Sequence, residues 1–250
     1  MTASSIISGL RLPDDARVDQ RVPKKLLVEN GAPTAADRRQ INDGVEDLRW
    51  LASLKPATIG VPVFRDNTRE YLEIAVLSLV LRAGAKAGRL TELIHRAIPY
   101  PVFLVQSQAN SLVLSLAHLR WSHGHSDQTV LDGPLVMATV DADFSATAAF
   151  ITSLDVSSQP RQNIFVFYQG WVERFEAYAA ARLTGRFVLT QDDAFSMRRR
   201  TALAEHERIT REISSLRVRA FKETQINHRV ELNLQLKQLE SLLAEITTTL

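Results

Sequence analysis

The chain has 250 residues, of which 45% are hydrophobic and 23% charged, and its mean hydropathy is −0.08. This composition is typical of a folded globular protein with room for one large domain or two small ones. The chain contains no cysteine, which excludes disulfide scaffolds, iron–sulfur sites, cysteine-ligated zinc and cysteine nucleophiles. Thirty Lys and Arg against 28 Asp and Glu leave a net charge of only +2.

Nothing in the sequence indicates a membrane or secreted protein. No apolar run approaches the roughly 20 residues that a membrane span needs. Residues 1–10 lack the basic start and the long apolar stretch of a signal peptide. The absence of cysteine is compatible with a reducing compartment. We therefore expect a cytoplasmic protein without membrane contact.

Residues 1–157 are predicted to form an α+β domain with a mixed or antiparallel sheet of about five strands. Its first 33 residues are interpreted as an extended arm, because they contain three prolines and show no clear period. Residues 34–54 are predicted to form a helix, since Thr34 and Asp37 resemble a capping box and apolar residues recur at helical spacing. The remaining predictions, in chain order, are strands 58–64 and 70–82, helix 88–98, strands 101–106, 111–121 and 135–140, and helix 145–154.

Residues 158–250 are predicted to be helical. All nine prolines lie at or before Pro160 and the last glycine is Gly185, so the end of the chain lacks the two strongest helix breakers. The predicted helix 160–183 carries aromatic residues at spacings of four, four and three: Phe167, Trp171, Phe175 and Tyr178. A bulky stripe of this kind is typical of a helix face buried in the core.

Two apolar seams occupy the final region, residues 192–250. The first has 4-3-4 spacing: Ile209, Ile213, Leu216 and Ala220. The second has 4-3-4-3-4 spacing: Leu232, Leu236, Leu239, Leu243, Ile246 and Leu250. Both are typical of coiled coils. The seams therefore predict a helical partner, which is the chain's own helix, a second copy or another protein.

The two seams are out of phase with each other. Leu216 and Leu232 are sixteen residues apart, two more than two heptads, which at about 100° per residue turns the second seam almost to the opposite face. Either one long helix changes partners near Gln225, or the chain folds back as a helical hairpin.

A basic stretch overlaps the first seam. Its eight cations are Arg198, Arg199, Arg200, Arg208, Arg211, Arg217, Arg219 and Lys222. Three glutamates, Glu205, Glu207 and Glu212, reduce the local charge to +5. A helix of this charge can follow a phosphate backbone, although arginine-rich flanks of a coiled coil have the same composition. No aromatic residues alternate with these cations for base stacking.

The motifs that carry phosphate or metal chemistry are incomplete. Residues 82–89 (Arg-Ala-Gly-Ala-Lys-Ala-Gly-Arg) resemble a phosphate loop, but alanine follows the lysine where a magnesium-binding hydroxyl is needed. Residues 123–127 (His-Gly-His-Ser-Asp) form one polar loop, which is a weak basis for zinc. Asp141 and Asp143 suit a strand end and a helix start better than a magnesium pair. We expect no metal and no cofactor.

The motifs of nucleases and serine hydrolases are also incomplete or absent. A diverged metal-dependent nuclease would use Asp66, Glu70 or Glu73 near the predicted central strand. Glu73 is followed by Ile74 and Ala75, and no lysine stands at a useful spacing. No G-x-S-x-G motif indicates a serine hydrolase. We therefore expect no catalytic residues.

Four segments resemble the bacterial domain-of-unknown-function family numbered 4391. Residues 222–237 (Lys-Glu-Thr-Gln-Ile-Asn-His-Arg-Val-Glu-Leu-Asn-Leu-Gln-Leu-Lys) resemble the ending of that family. The others are 22–25 (Val-Pro-Lys-Lys), 45–56 with Leu48, Trp50 and Leu51, and 97–101 (Ala-Ile-Pro-Tyr-Pro). The resemblance covers nearly the whole chain and implies a compact bacterial protein from operons with helicases and DNA methyltransferases, as in restriction-like or phage-defence loci. It supplies no catalytic residues.

Three functional hypotheses follow. The leading one is a non-enzymatic accessory or scaffold protein that docks a protein partner, or a second copy, through the C-terminal coiled coil. Its interface candidates are Leu232, Leu236, Leu239, Leu243 and Ile246. The second is a nucleic-acid-binding subunit that uses the eight cations, with DNA as the partner. The third is the diverged nuclease.

Overall fold

The computed structural model describes residues 1–122, 125–190 and 192–250, and at 125–127 it describes the backbone only. The described chain forms two compact units, Met1–Phe175 and Glu176–Leu250. The architecture is α+β, as predicted, with a mixed sheet and helices followed by C-terminal helices.

The N-terminal unit contains the strands and most of the shorter helices. Its helices are α1 (Ala3–Gly9), α2 (Lys24–Gly31), α3 (Ala35–Gly44), α4 (Pro56–Ile59), α5 (Ala87–Ala97), α6 (Thr147–Ser153) and α7 (Ile164–Thr184), whose last residues belong to the second unit. Its strands are β1 (Arg17–Arg21), β2 (Val45–Leu54), β3 (Phe64–Arg65), β4 (Glu70–Tyr71), β5 (Ile74–Leu81), β6 (Val102–Gln108), β7 (Ser111–Leu116), β8 (Leu119–Ser122), β9 (His125–Leu131) and β10 (Val136–Thr139). Two 3-10 turns span Asp14–Ala16 and Val156–Ser158.

One six-stranded sheet organises this unit, in the order β1-β2-β5-β6-β7-β10. β5 and β6 are parallel and are joined through α5, whereas the other neighbouring strands are antiparallel. The sheet is therefore mixed. The strand pairs β3–β4 and β8–β9 form two separate ribbons.

Both faces of the central strand β5 are covered. Leu77 and Leu79 belong to one core cluster together with residues of α2, α3 and α5. On the opposite face, the buried Val76 pairs with Phe103 of β6, whose ring lies 4.7 Å from Trp171 and 5.8 Å from Phe175, centroid to centroid. A strand buried on both faces requires a continuous apolar run, and residues 74–81 provide it. The aromatic stripe of α7 is buried, as predicted.

The helix predicted at residues 34–54 is wrong in its second half. α3 ends at Gly44, and Val45–Leu54 is strand β2. The register of β2 against β5 shifts between Val45 and Asp47 and again between Trp50 and Ala52. Such bulges interrupt strand alternation, so the buried residues Val45, Leu48 and Leu51 fall three apart and imitate a helical period.

The predicted arm and the predicted strand 58–64 are also corrected. Residues 1–33 contain α1, the sheet-edge strand β1 and α2, and Pro23 is the residue directly before α2. The prolines mark element boundaries there, which is why no single period runs through the segment. Pro56 instead opens the short helix α4, which ends at Gly60 in the left-handed conformation at φ +62°.

Two long predicted strands are each divided in two. The predicted strand 70–82 consists of β4 and β5, and the predicted strand 111–121 consists of β7 and β8. In both cases the first and second pieces belong to different sheets. A strand that leaves one sheet for another needs a break in its pairing, which the apolar pattern alone does not reveal.

The C-terminal unit is helical, as predicted. It contains the end of α7, then α8 (Asp193–Lys222) and α9 (Ile226–Thr248). The carboxylate of Asp192 caps α8 by accepting bonds from the N–H groups of Ala194 and Phe195. None of the described helices has both the length and the apolar character to cross a membrane.

Candidate interaction surface on the C-terminal hairpin

α8 and α9 form a helical hairpin. Only residues 223–225 separate the two helices, and Leu216 and Ala220 of α8 share an apolar cluster with Leu232 of α9. The guanidinium of Arg217 lies 2.7 Å from the carboxylate of Glu240 across the pair. Of the two arrangements that the phase difference allowed, the chain therefore adopts the hairpin.

The two seams are buried to different degrees. All four seam residues of α8 are buried: Ile209, Ile213, Leu216 and Ala220. Among the interface candidates on α9, Leu232 is buried, while Leu236, Leu239, Leu243 and Ile246 are half-buried. The α9 seam thus keeps apolar surface accessible to water. The coiled-coil packing of the seams stays a prediction.

Two of the eight predicted basic residues, both near the start of α8, form contacts within the C-terminal unit. Arg199 is only 2% exposed, and its guanidinium donates a hydrogen bond to the carbonyl of Val188 at 2.8 Å. Arg200 donates to the carboxylate of Glu176 at 2.6 Å. Neither guanidinium is presented freely to a ligand.

Three more cations form ion pairs along α8. Arg208 lies 2.7 Å from Glu205 and 2.9 Å from Glu212. Its hydrogen bond to Glu205 raises the pKa of Arg208 and lowers the pKa of Glu205. Arg211 lies 3.9 Å from Glu207, and Arg217 pairs with Glu240 as described above. Glu205, Glu207 and Glu212 are already counted in the local charge of +5. Glu176 and Glu240, which lie outside that stretch, reduce it to +3.

The last three cations lack an ion pair within the described chain. Arg198 places its guanidinium 5.9 Å from the centre of the Phe195 ring, whereas Arg219 and Lys222 are exposed at the end of α8. Arg229 and Lys237 of α9, which sequence reasoning missed, are also exposed and have no ion pair among the described residues.

The connected ends of the hairpin carry an exposed apolar surface that sequence reasoning also missed. This apolar tip, as we call it, comprises Val218 (54% exposed), Phe221 (90%), Ile226 (68%), Val230 (52%) and Leu234 (58%). Val230 and Leu234 are each two residues from the seam residue Leu232, which is about 200° around a helix. The spacing of four between Ile226, Val230 and Leu234 was the available signal.

Of the glycine-containing segment 82–89, residues 82–86 connect β5 to α5 and residues 87–89 form the start of α5. The side-chain amide of Gln108 donates to the carbonyls of Arg82 and Ala85, both at 3.0 Å. Gly84 adopts φ +78°, a conformation that favours glycine. These contacts hold the chain in the turn that connects β5 to α5.

The three acids considered for a nuclease do not converge on a metal. Each has a local partner: Asp66 accepts hydrogen bonds from the backbone of Thr68 and Arg69, Glu70 pairs with Arg65, and Glu73 pairs with Lys55. The hydrogen bond from the backbone of Thr68 is the main reason why the pKa of the Asp66 carboxyl is lowered. Within the described chain, no cluster of three or more His, Asp or Glu is placed to hold a metal.

The other metal candidates are residues 123–127, of which 125–127 belong to strand β9 and not to a loop, and the pair Asp141 and Asp143. Residues 123 and 124 and the side chains of 125–127 lie outside the described residues. Asp141 accepts a hydrogen bond from the N–H of Asp143 at 3.0 Å, and its carbonyl accepts one from the hydroxyl of Thr147 at 2.6 Å. Asp141 thus shapes the turn that leads into α6, as predicted.

The N-terminal unit also buries histidine networks that the sequence did not reveal. The Nε2 atom of His95 lies 2.9 Å from the hydroxyl oxygen of Ser115, and burial lowers the pKa of His95 to about 3. The hydroxyl of Tyr71 lies 2.6 Å from Nδ1 of His118. Because His95, Ser115 and Tyr71 are at most 1% exposed, these groups support the fold and are closed to a substrate.

A cavity of about 550 Å³ lies where the ends of α2 and α5 meet the β8–β9 ribbon. Arg96 and Arg120 contribute to its wall. Their guanidinium groups are committed to neighbours, because Arg96 lies 2.7 Å from Glu92 and Arg120 lies 3.8 Å from Asp132. The cavity therefore presents little unsatisfied charge.

A comparison with known protein families identifies the family of this chain. A family model described as a domain of unknown function (DUF4391) matches residues 10–243. The chain belongs to the DUF4391 family. The resemblance noted in the sequence is thereby confirmed. No curated protein and no solved structure matches the chain.

The DUF4391 match includes the hairpin. It begins in the N-terminal unit and continues through α8 and most of α9. Of the interface candidates on α9, only Ile246 lies beyond it. The apolar tip is thus part of the region that the DUF4391 model describes.

Proposed function

We propose that this DUF4391 protein is a non-enzymatic docking protein that binds a protein partner through the α8–α9 hairpin. The observation that carries the proposal is the apolar tip, where Phe221 is 90% exposed and four other large apolar side chains are more than half exposed. On α9, Ile226, Val230 and Leu234 recur every four residues and so share one helix face. Exposed apolar surface of this kind on a folded protein marks an interaction site, since its burial lowers the free energy by about 25 cal/mol per Å².

The apolar tip is not needed to close the hairpin. Leu216, Ala220 and Leu232 already pack together between the helices, and the residues of the tip lie on the outward faces. The half-buried seam of α9 offers further apolar surface to an added helix. A coiled coil with such a helix is part of the proposal, supported by the 4-3-4 spacing of the seam residues.

Nucleic-acid binding has less support. Five of the eight predicted cations are engaged by carboxylates or by a carbonyl within the described chain. Phosphate contact depends on the number of available cations, and three remain. A bacterial restriction-like or phage-defence complex in the cytoplasm is the setting that the family resemblance implies for the partner.

The test compares proteins captured from the native host by the tagged full chain and by two variants. The hairpin variant combines Phe221→Ser, Val230→Ser and Leu234→Ser. The control, Met137→Ser, replaces a side chain that is 42% exposed on β10. We expect a protein that the wild type and the control capture equally and that the hairpin variant captures at least tenfold less. Equal capture by all three chains would contradict the proposal.

A further inference from the structure

Four exposed cations lie in the same segments of α8 and α9 as the apolar tip, and no carboxylate of the described chain forms an ion pair with them. They are Arg219, Lys222, Arg229 and Lys237. The first two lie within the last turn of α8, and the other two flank the apolar residues of α9. This contrasts with Arg208 and Arg217, which precede them on α8 and are paired with glutamates.

The cations share helix faces with the apolar side chains. Lys222 follows Val218 by four residues, and Lys237 follows Leu234 by three, so each pair lies on one helix face. Arg229 is next to Val230. Between Arg229 and Lys237 of α9, the only carboxylate is the exposed Glu231. Four cations against Glu223 and Glu231 leave a net charge of +2 along residues 219–237. An object that covers the apolar tip therefore meets net positive charge.

The α9 part of the tip has the length of a short helical contact. From Ile226 to Leu234 the axis rises about 12 Å, at 1.5 Å per residue, or roughly two turns. A helix laid along this surface with apolar residues at i, i+3 or i+4 and i+7 would bury the tip along that length.

We propose that the occupant of the apolar tip is an acidic amphipathic helix of the partner protein. This inference rests on the docking function proposed above and specifies its ligand. Leucine-type side chains of the incoming helix cover Ile226, Val230 and Leu234 of α9. Its flanking Asp and Glu side chains meet Arg229 and Lys237 of the same helix, and such complementary charges fix the register and speed association.

The other occupants fit less well. A second copy docked tip to tip would bring like charges together, which is unfavourable. Duplex DNA offers phosphates to the cations but provides no apolar partner for Phe221 or Leu234. An acidic helix satisfies both the charge and the apolar surface.

The first experiment uses two designed 18-residue peptides with leucine at i, i+4, i+7 and i+11. One carries glutamate at the flanking positions and the other carries lysine. Fluorescence anisotropy with the full chain should show at least tenfold tighter binding of the acidic peptide, with affinity falling as salt rises. Equal binding of both peptides, or binding of neither, would overturn the inference, as would tighter binding of a 20-base-pair DNA duplex.

A matched pair of charge reversals completes the test. Arg229→Glu with Lys237→Glu should weaken acidic-peptide binding at least tenfold. Arg38→Glu with Arg39→Glu, which makes the same change of net charge at exposed positions of α3, should leave it unchanged. If the tip reversals leave both peptide binding and host-protein capture intact while the serine hairpin variant loses capture, docking stands and the acidic ligand is refuted. If the serine variant also retains capture, the docking function itself fails.

Discussion

Arg217 of α8 and Glu240 of α9 form an ion pair of 2.7 Å that links the two helices of the hairpin. The residues are 23 positions apart in the chain, and their contact follows from the reversal at residues 223–225. Both side chains are about half exposed or more, at 63% and 48%, so the pair contributes about 0.2–1 kcal/mol.

This pair allows a charge-swap test of the hairpin. Arg217→Glu alone places two carboxylates together and should lower the stability of the hairpin, measured by hydrogen exchange of α9. The double variant with Glu240→Arg should recover most of the loss, because it restores opposite charges. Additive effects of the two changes would show that the residues do not interact.

The seam residue Leu232 provides a stronger test of packing. It is 9% exposed and contacts the cluster of Leu216 and Ala220. Leu232→Ala should cost about 2 kcal/mol, which corresponds to a roughly thirtyfold loss of amide protection in α9. Leu234→Ala, at a side chain that is 58% exposed, should change stability by less than about 0.5 kcal/mol. Similar losses for both would contradict the assignment of inward and outward faces.

Gly31, the last residue of α2, lies in close contact with α5. A Cβ atom added there would lie 2.6 Å from Cβ of Ala97 and 2.7 Å from the carbonyl oxygen of Leu93. Gly31→Ala should therefore destabilise the N-terminal unit by about 1–3 kcal/mol. The three tryptophans, Trp50, Trp121 and Trp171, all lie in that unit, so their fluorescence during urea unfolding reports the change.

Gly88→Ala is the matched control for Gly31. It lies in the first turn of α5, and no atom stands within 4 Å of an added Cβ. Alanine is the better helix former by up to about 1 kcal/mol, so Gly88→Ala should be neutral or slightly stabilising. A loss equal to that of Gly31→Ala would show that close packing against α5 is not the cause.

His95 should make the N-terminal unit less stable in mild acid. Burial lowers its pKa from the ordinary value of 6.5 to about 3 in the folded state. Between these values the unfolded chain binds a proton that the folded chain does not, so stability falls as the pH falls, at up to about 1.4 kcal/mol per unit. Urea unfolding between pH 6.5 and 5, followed by tryptophan fluorescence, measures this slope.

Two histidine substitutions identify the residue that makes the stability depend on pH. His95→Gln should flatten it, although the variant is less stable overall because Ser115 loses its partner. His228→Gln, at a side chain that is 59% exposed, should preserve the wild-type slope. An unchanged slope in His95→Gln would place the titrating group elsewhere.

Features that depend on local sequence spacing were predictable, whereas features that depend on long-range contacts were not. The stripe through Phe167 and Trp171 and the two seams repeat at helical spacing, so their location in helices was predictable, as was the burial of the stripe and of the α8 seam. The strand at Val45–Leu54 was not, because its bulges give a three-residue burial period. Spacing also indicates the Arg208 pairs with Glu205 and Glu212. It does not indicate the Arg200 pair with Glu176, which depends on the tertiary fold.

The candidate surface was only partly predictable for a similar reason. The seam through Leu232 was found because its spacing is regular over several turns. Val230 and Leu234 lie on the opposite face of the same helix, and their exposure is evident only once Leu216 and Ala220 are seen to occupy the inner face. The basic residues were correctly located on a helix, but their availability depends on which glutamates reach them.

Photo-crosslinking from position 221 tests the central claim most directly. A photoreactive phenylalanine analogue replaces Phe221, which is 90% exposed, in the full chain expressed in its native host. The matched control places the same analogue at Ser214, an exposed position on α8 outside the apolar tip. We expect irradiation to yield a covalent adduct with one protein from position 221, through a segment of acidic amphipathic helix, and little adduct from position 214. Equal adduct yields from both positions, or no adduct from position 221, would contradict the docking function.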